Sequence, residues 1–141
     1  MPSQESSWTC AACAEAWVLR STGVSPHAAE WELVNEIGYP EHINGQYGLM
    51  DGSGTQLRRV YRDYGLETAQ AWLNFDEVYE LAKHTTGQMS GQAYYHWVAL
   101  RGVQGSNIWI ANSAPGYRGA WDTLSRADFN RLGPFSVVWL N

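Results

Sequence analysis

A thiol, an imidazole and a carboxamide follow one another along this chain in an order that suits acyl-transfer chemistry. Cys10 opens a helix-forming stretch, His96 lies in an aromatic segment, and Asn112 follows the next apolar segment. A thiol attacks a carbonyl as its thiolate, while an imidazole held by a third group moves the proton. Gln4, placed six residues before Cys10, offers a side-chain donor for the oxyanion, and the backbone N–H of Cys10 offers a second. The four residues predict a Cys-His-Asn site for acyl transfer.

The local sequence predicts how the thiol is activated. Ser6, Ser7 and Thr9 are cap and turn formers, so the helix begins at Cys10 rather than upstream of it. A helix N-terminus and a neighbouring imidazolium both favour the thiolate. We therefore expect Cys10 to be activated by its helix and by His96.

Helix signals dominate the first half of the chain and strand signals dominate the second. Helical spacing and caps predict helices over residues 10–22, 26–37, 55–64, 75–83 and 126–131. β-branched and aromatic residues predict strands over residues 66–73, 93–103, 107–111 and 135–140, and residues 39–54 are predicted to be a loop. This order predicts an α+β fold with N-terminal helices packed on a C-terminal antiparallel sheet.

The predicted strands 93–103 and 107–111 form a hairpin that brings two of the site residues together. Gln104-Gly105-Ser106 provides the turn. His96 precedes the turn and Asn112 follows it at similar distances along the chain. Both side chains are therefore expected at the same end of the hairpin, where Asn112 can orient the imidazole.

Composition narrows the class of protein. With 141 residues, the chain is predicted to form one domain over residues 1–141, which we expect to be cut from a longer protein. The net charge of −5 disfavours nucleic acid or an anionic membrane as the main partner. No apolar run reaches the ~18 residues of a membrane helix, so no membrane insertion is expected.

Cys10 and Cys13 form a CxxC pair, which leaves a dithiol oxidoreductase open as an alternative. The short Ser- and Gln-containing segment before Cys10 cannot supply the strand that precedes a thioredoxin-type CxxC. The sequence has no second CxxC or His pair at the spacing of a zinc site. We therefore expect neither a metal nor a cofactor. We therefore predict that Cys13 is buried in the helix. His42 in the long loop could line a substrate groove. The tryptophans Trp72, Trp97, Trp109 and Trp121 could flank a cleft as well, although a core position is the default for each of them.

The sequence resembles the papain-like cysteine peptidases that include the bacteriocin-processing, double-glycine-leader peptidases and their relatives in phage lysins. The resemblance covers nearly the whole chain and is carried by Gln4 with Cys10, by the segments 96–103 and 108–116, and by a Ser-led helix after Ser125. The family commonly has Asp-Cys-Gly at the nucleophile and Asp as the third residue. This chain has Thr9-Cys10-Ala11 and Asn112 instead.

The resemblance implies a papain-like fold and hydrolysis of peptide bonds through a thioester. Cys10 would be the nucleophile, His96 the general base and acid, Asn112 the orienting residue and Gln4 the oxyanion donor. The expected partner is a peptide or peptidoglycan substrate, cut by a monomeric catalytic domain of a phage lysin that is made in the host cytoplasm and acts at the cell wall. A leader-processing peptidase and an inactive peptide-binding domain are the alternatives.

Overall fold

A computed structural model describes residues 8–93, 96–112 and 123–141 of the chain. The helices in these ranges are α1 (Cys10–Ser21), α2 (Glu30–Ile37), α3 (Thr55–Asp63), α4 (Phe75–Ala82) and α5 (Arg126–Arg131). The strands are β1 (Ile43–Asn44), β2 (Gly48–Leu49), β3 (Thr68–Leu73), β4 (Gly87–Gly91), β5 (Trp97–Gln104), β6 (Asn107–Ala111), β7 (Thr123–Leu124) and β8 (Phe135–Leu140). None of the described helices is long and apolar enough to cross a lipid bilayer.

Six strands form one antiparallel sheet in the order β3–β8–β4–β5–β6–β7, and β1 pairs with β2 separately. β5 and β6 form the predicted hairpin, with Ala99 opposite Ala111 and a register shift between Leu100 and Gly102. The first strand begins at Trp97 rather than at the predicted residue 93, which lies in a bend. The predicted α+β fold is confirmed.

Helices cover both faces of this sheet. α1, α2 and α3 share an apolar core with Trp97 and Val138 of one face. α4 and α5 share a second core with Val98 and Val137. Neighbouring residues of a strand point to opposite faces, so β5 and β8 contribute to both cores. The candidate nucleophile lies on the α1 face.

α1 packs closely on the sheet because its buried residues are small. Ala11, Ala12, Ala14 and Ala16 are each 0% exposed, and Cys13 is also fully buried. A helix that is apolar on most sides is typical of a buried position. The burial predicted for Cys13 is confirmed, and the first turn of α1 is held against the strands that carry the rest of the site.

The prediction was wrong at the start of α2 and within the long loop. No helix follows Ser25, whose carbonyl accepts a hydrogen bond from the N–H of Ala28 at 3.2 Å and closes a single turn. The carbonyl of Ala28 accepts a hydrogen bond from Arg20 Nε at 2.5 Å, which fixes a turn, and α2 begins only at Glu30. The 39–54 segment contains the short β1–β2 ladder rather than loop alone.

Strand β4 was not predicted, although it lies in the middle of the sheet between β8 and β5. Its sequence, Gly-Gln-Met-Ser-Gly, has no β-branched or aromatic residue, so it carries little intrinsic strand preference. A Cβ at Gly87 would lie 2.1 Å from the carbonyl oxygen of Val138. Glycine therefore permits the close approach of β8 there.

Candidate active site

Cys10 is the first residue of α1, and its thiol lies against β5. The side chain is 7% exposed, and Sγ accepts a hydrogen bond from the backbone N–H of Trp97 at 3.5 Å. That N–H belongs to the peptide group that joins His96 to Trp97. Folding thus brings the thiol to the segment that carries the predicted general base, although Cys10 and Trp97 are 87 positions apart.

His96 and Asn112 meet at the end of the β5–β6 hairpin. His96 directly precedes β5 and Asn112 directly follows β6. The distance between His96 Nε2 and Asn112 Oδ1 is 2.7 Å. A carboxamide oxygen only accepts hydrogen bonds, so Nε2 carries the proton and the lone pair of the neutral ring lies on Nδ1. This tautomer suits an imidazole that takes a proton through Nδ1.

Burial sets the protonation of both groups. Burial raises the pKa of the Cys10 thiol, and hydrogen bonds from the N–H groups of Trp97, Ala11 and Cys10 only partly offset this. Burial also lowers the pKa of His96. The hydrogen bond with Asn112 raises this pKa, but by less than burial lowers it. Both directions favour a neutral thiol–imidazole pair. The sequence predicted a thiol activated by its helix, whereas in the structure desolvation outweighs the N–H donors.

A surface cleft of about 240 Å³ opens beside the thiol. Trp8, Cys10 and Trp97 line it together with residues 45–49, which include the β1–β2 turn. The turn passes close to Trp8, since a Cβ at Gly45 would lie 3.6 Å from its indole nitrogen. The volume is below the ~300–1,000 Å³ of pockets for drug-sized ligands. The cleft therefore offers room beside the thiol for part of a ligand rather than for a whole drug-sized molecule.

An aromatic cluster adjoins this cleft. The ring of Trp8 lies 5.6 Å from that of Trp31 in an edge-on arrangement and 5.8 Å from that of Tyr39. Trp31 is 41% exposed and Tyr39 is 55% exposed. Tyr47, at the tip of the turn, is exposed as well. The sequence did not indicate this cluster, because Trp8, Trp31 and Tyr39 are separated along the chain and meet only through tertiary packing.

The other candidates for the groove have separate positions. Trp97 lines the cleft although its side chain is fully buried. Trp72 is exposed on β3, and Trp109 stacks under the guanidinium of Arg101 at 3.8 Å. His42 packs against Gly38 and is not among the residues that line the cleft.

Some predictions cannot be placed in the fold. Gln4 and Trp121 lie outside the described residues, as does the 113–116 part of the resemblance. Cys10 and Cys13 carry thiols rather than a disulfide. No group of three or more His, Cys, Asp or Glu side chains within residues 8–93, 96–112 and 123–141 is arranged to hold a metal ion.

The sequence matches no protein-family model and no curated protein. The structure, in contrast, aligns with solved peptidases over nearly its full length. A double glycine motif protease from an AMS/PCAT transporter, in complex with the leader peptide, has a TM-score of 0.72 at 17% identity, over 98% of this chain and 88% of that chain. This chain has the fold of the double-glycine peptidases.

Two further structures support the same fold. The peptidase domain of Streptococcus ComA, a bi-functional ABC transporter involved in a quorum-sensing pathway, has a TM-score of 0.73 at 13% identity, covering 99% of this chain and 96% of that chain. A peptidase from Bacillus anthracis has a TM-score of 0.63 at 13% identity, covering 100% and 94%. The papain-like fold implied by the sequence resemblance is confirmed.

Replacing Asn112 with Asp should change the pH profile of any hydrolysis that uses His96. A carboxylate beside the ring favours imidazolium, so the pKa of His96 should rise. The acid limb of kcat/KM should then move to higher pH in Asn112→Asp, and Asn112→Ala should lose about tenfold in kcat. Asn107→Asp adds the same charge at the turn end of β6 and serves as the control. An acid limb that moves equally in both Asp variants would contradict the assigned contact.

Proposed function

We propose that this protein is a cysteine peptidase in which Cys10, His96 and Asn112 act together. The observation that carries the proposal is that Cys10 and Asn112 each contact the segment that contains His96. The Cys10 thiol rests on the N–H that follows His96, and the His96 ring is held by Asn112 at 2.7 Å. The shared fold of the double-glycine peptidases supports it.

The proposed reaction begins from the neutral pair. Sγ of Cys10 forms a bond to the substrate carbonyl carbon as its proton passes to Nδ1 of His96. The tetrahedral intermediate then collapses, the C–N bond breaks, and the amine leaves with that proton. Water hydrolyses the thioester in a second cycle, again with His96 as base, and restores the thiol. Asn112 keeps Nδ1 directed at the reacting atoms throughout.

The oxyanion of the intermediate requires donors. The backbone N–H of Cys10 lies at the N-terminus of α1, where the first N–H groups have no partner within the helix. We assign the side chain of Gln4 as the second donor. Its role rests on the sequence resemblance alone.

For the substrate, we propose peptides of bacterial peptidoglycan, as the resemblance to phage lysins suggests, and a monomer acting at the cell wall. A leader peptide is the second candidate, because one structural neighbour is a double glycine motif protease in complex with the leader peptide. The cleft beside Cys10 is compatible with a peptide of either kind. A thioredoxin-type CxxC belongs to a βαβ unit with parallel strands, whereas the described strand pairs of this sheet are antiparallel, which argues against the dithiol oxidoreductase.

Parallel digestion separates these substrates. The protein is incubated with purified bacterial cell walls and with a synthetic peptide that carries an internal Gly-Gly, and new amino termini are identified by mass spectrometry. Release from walls with loss of turbidity supports the wall hydrolase. Cleavage after Gly-Gly alone would replace that proposal with leader processing. Absence of cleavage in both, with sluggish alkylation of Cys10 by iodoacetamide, would favour the inactive peptide-binding domain.

A further inference from the structure

The two residues beside Cys10 in the chain are each held by a buried side chain from another element. Before it, the hydroxyl of Thr9 donates a hydrogen bond to Oε1 of Glu30, the first residue of α2. Thr9 is 0% exposed and Glu30 is 6% exposed. This contact joins the start of α1 to the start of α2.

After Cys10, the carbonyl oxygen of Ala11 accepts a hydrogen bond from Gln88 Nε2 at 3.0 Å. Gln88 is fully buried in the middle of β4. Its Oε1 accepts a hydrogen bond from the Tyr61 hydroxyl at 2.5 Å. Both ends of the Gln88 amide are therefore engaged, and its orientation is fixed by α3 on one side and α1 on the other.

A purely structural explanation is that these bonds only satisfy buried polar groups. However, Ala11 lies in the first turn of α1, where its carbonyl also faces the N–H four residues ahead in the helix. The bond from Gln88 is therefore additional for Ala11. Apolar residues of similar volume would fill such sites without the cost of burying a carboxyl group and a carboxamide. The two contacts flank the nucleophile on both sides.

We propose that Glu30, through Thr9, and Gln88, through Ala11, are positioning residues that hold Cys10 Sγ on the peptide group between His96 and Trp97. This inference rests on the proposed peptidase function. The Thr9–Glu30 contact fixes where α1 begins, and the Gln88–Ala11 contact fixes how closely its first turn approaches the sheet. Loss of either contact lets the thiol move from the Trp97 N–H. Displacements of about 1 Å from the productive geometry can cost ~100-fold in rate.

The test compares Thr9→Val and Gln88→Met, which keep the side-chain volume, with Thr9→Ser, which keeps the hydroxyl. We expect kcat to fall about tenfold in the first two with KM little changed, and Thr9→Ser to recover most of the activity. We also expect iodoacetamide to alkylate Cys10 with an apparent pKa higher than in the wild type, because the donor to Sγ is lost.

Tyr64→Phe is the matched control, since the Tyr64 hydroxyl bonds to the Glu36 carboxylate between α3 and α2, away from the thiol. It should leave the alkylation profile unchanged. An unchanged or lowered apparent pKa in folded Thr9→Val, or an equal shift in Tyr64→Phe, would overturn the proposal. If Gln88→Met does not fold, the Thr9→Val and Thr9→Ser pair decides. Alkylation needs no substrate, so this outcome is separate from failure of the peptidase proposal.

Discussion

Replacing Cys10 with alanine is expected to reduce hydrolysis by more than about 10³-fold and to leave the fold intact. The thiol is the group that forms the covalent bond in the proposed reaction, and a methyl group cannot replace it. Removing Sγ from a side chain that is only 7% exposed leaves a small void, so the melting temperature should change by a few degrees at most. Mass spectrometry of digestion products measures the first effect, and thermal unfolding measures the second.

Cys13→Ser is the control for this prediction. Cys13 is 0% exposed in α1, so the variant should lose about 1–2 kcal/mol of stability and retain its hydrolytic activity. A folded Cys13→Ser protein with no activity would instead indicate that the two thiols act as a redox pair.

A second large effect is expected from Glu15, which lies inside the protein on α1. Glu15 is 0% exposed, and neither carboxyl oxygen has a hydrogen-bond partner among the described residues. Burial raises the pKa of Glu15 well above its ordinary value of 4.5, and the charge of Glu36 on α2 adds to this, while Arg59 on α3 acts in the opposite sense. Tyr61 of α3 also faces this group, and its own pKa is raised by burial and by Glu15. The folded protein therefore holds Glu15 in its neutral form.

The sign of the pH dependence follows from linkage. The folded state binds a proton that the unfolded state has already released, so stability from this group is complete below pH 4.5 and is lost as the pH rises towards the folded pKa. Glu15→Gln removes this dependence. The difference in unfolding free energy between Glu15→Gln and the wild type should be more favourable to the variant at pH 8 than at pH 4, by about 2 kcal/mol.

Denaturant unfolding at both pH values measures this gain. Glu67→Gln, on an exposed residue, is the control and should show little change. If Glu15→Gln has the same effect on stability at pH 4 as at pH 8, Glu15 is not held neutral by burial, and the account of this group is wrong.

Local chemistry explains which elements could be predicted from the sequence. α4 begins after Asn74, whose side chain and that of Glu77 form reciprocal hydrogen bonds with the backbone, a capping box visible in the sequence. Ser125 similarly caps α5 by accepting from the N–H of Asp128. β4 could not be predicted in this way, because its strand conformation is imposed by pairing with β5 and β8.

The same distinction applies to the candidate site. The hairpin predicted between His96 and Asn112 was sufficient to predict that these two residues meet. The aromatic cluster around Trp8 and the hydrogen bonds made by Glu30 and Gln88 depend on tertiary packing, and no local sequence pattern indicates them. Desolvation of the thiol also depends on packing, and the sequence did not indicate that burial raises the pKa of Cys10.

The most direct test of the central claim is to follow modification of Cys10 and loss of hydrolysis in one sample. The protein is treated with iodoacetamide, labelling of each cysteine is quantified by peptide mass spectrometry, and residual cleavage of the substrate identified by parallel digestion is measured at each time. Activity is expected to fall in proportion to alkylation of Cys10 while buried Cys13 stays unmodified. Full activity in protein whose Cys10 is completely alkylated would contradict it.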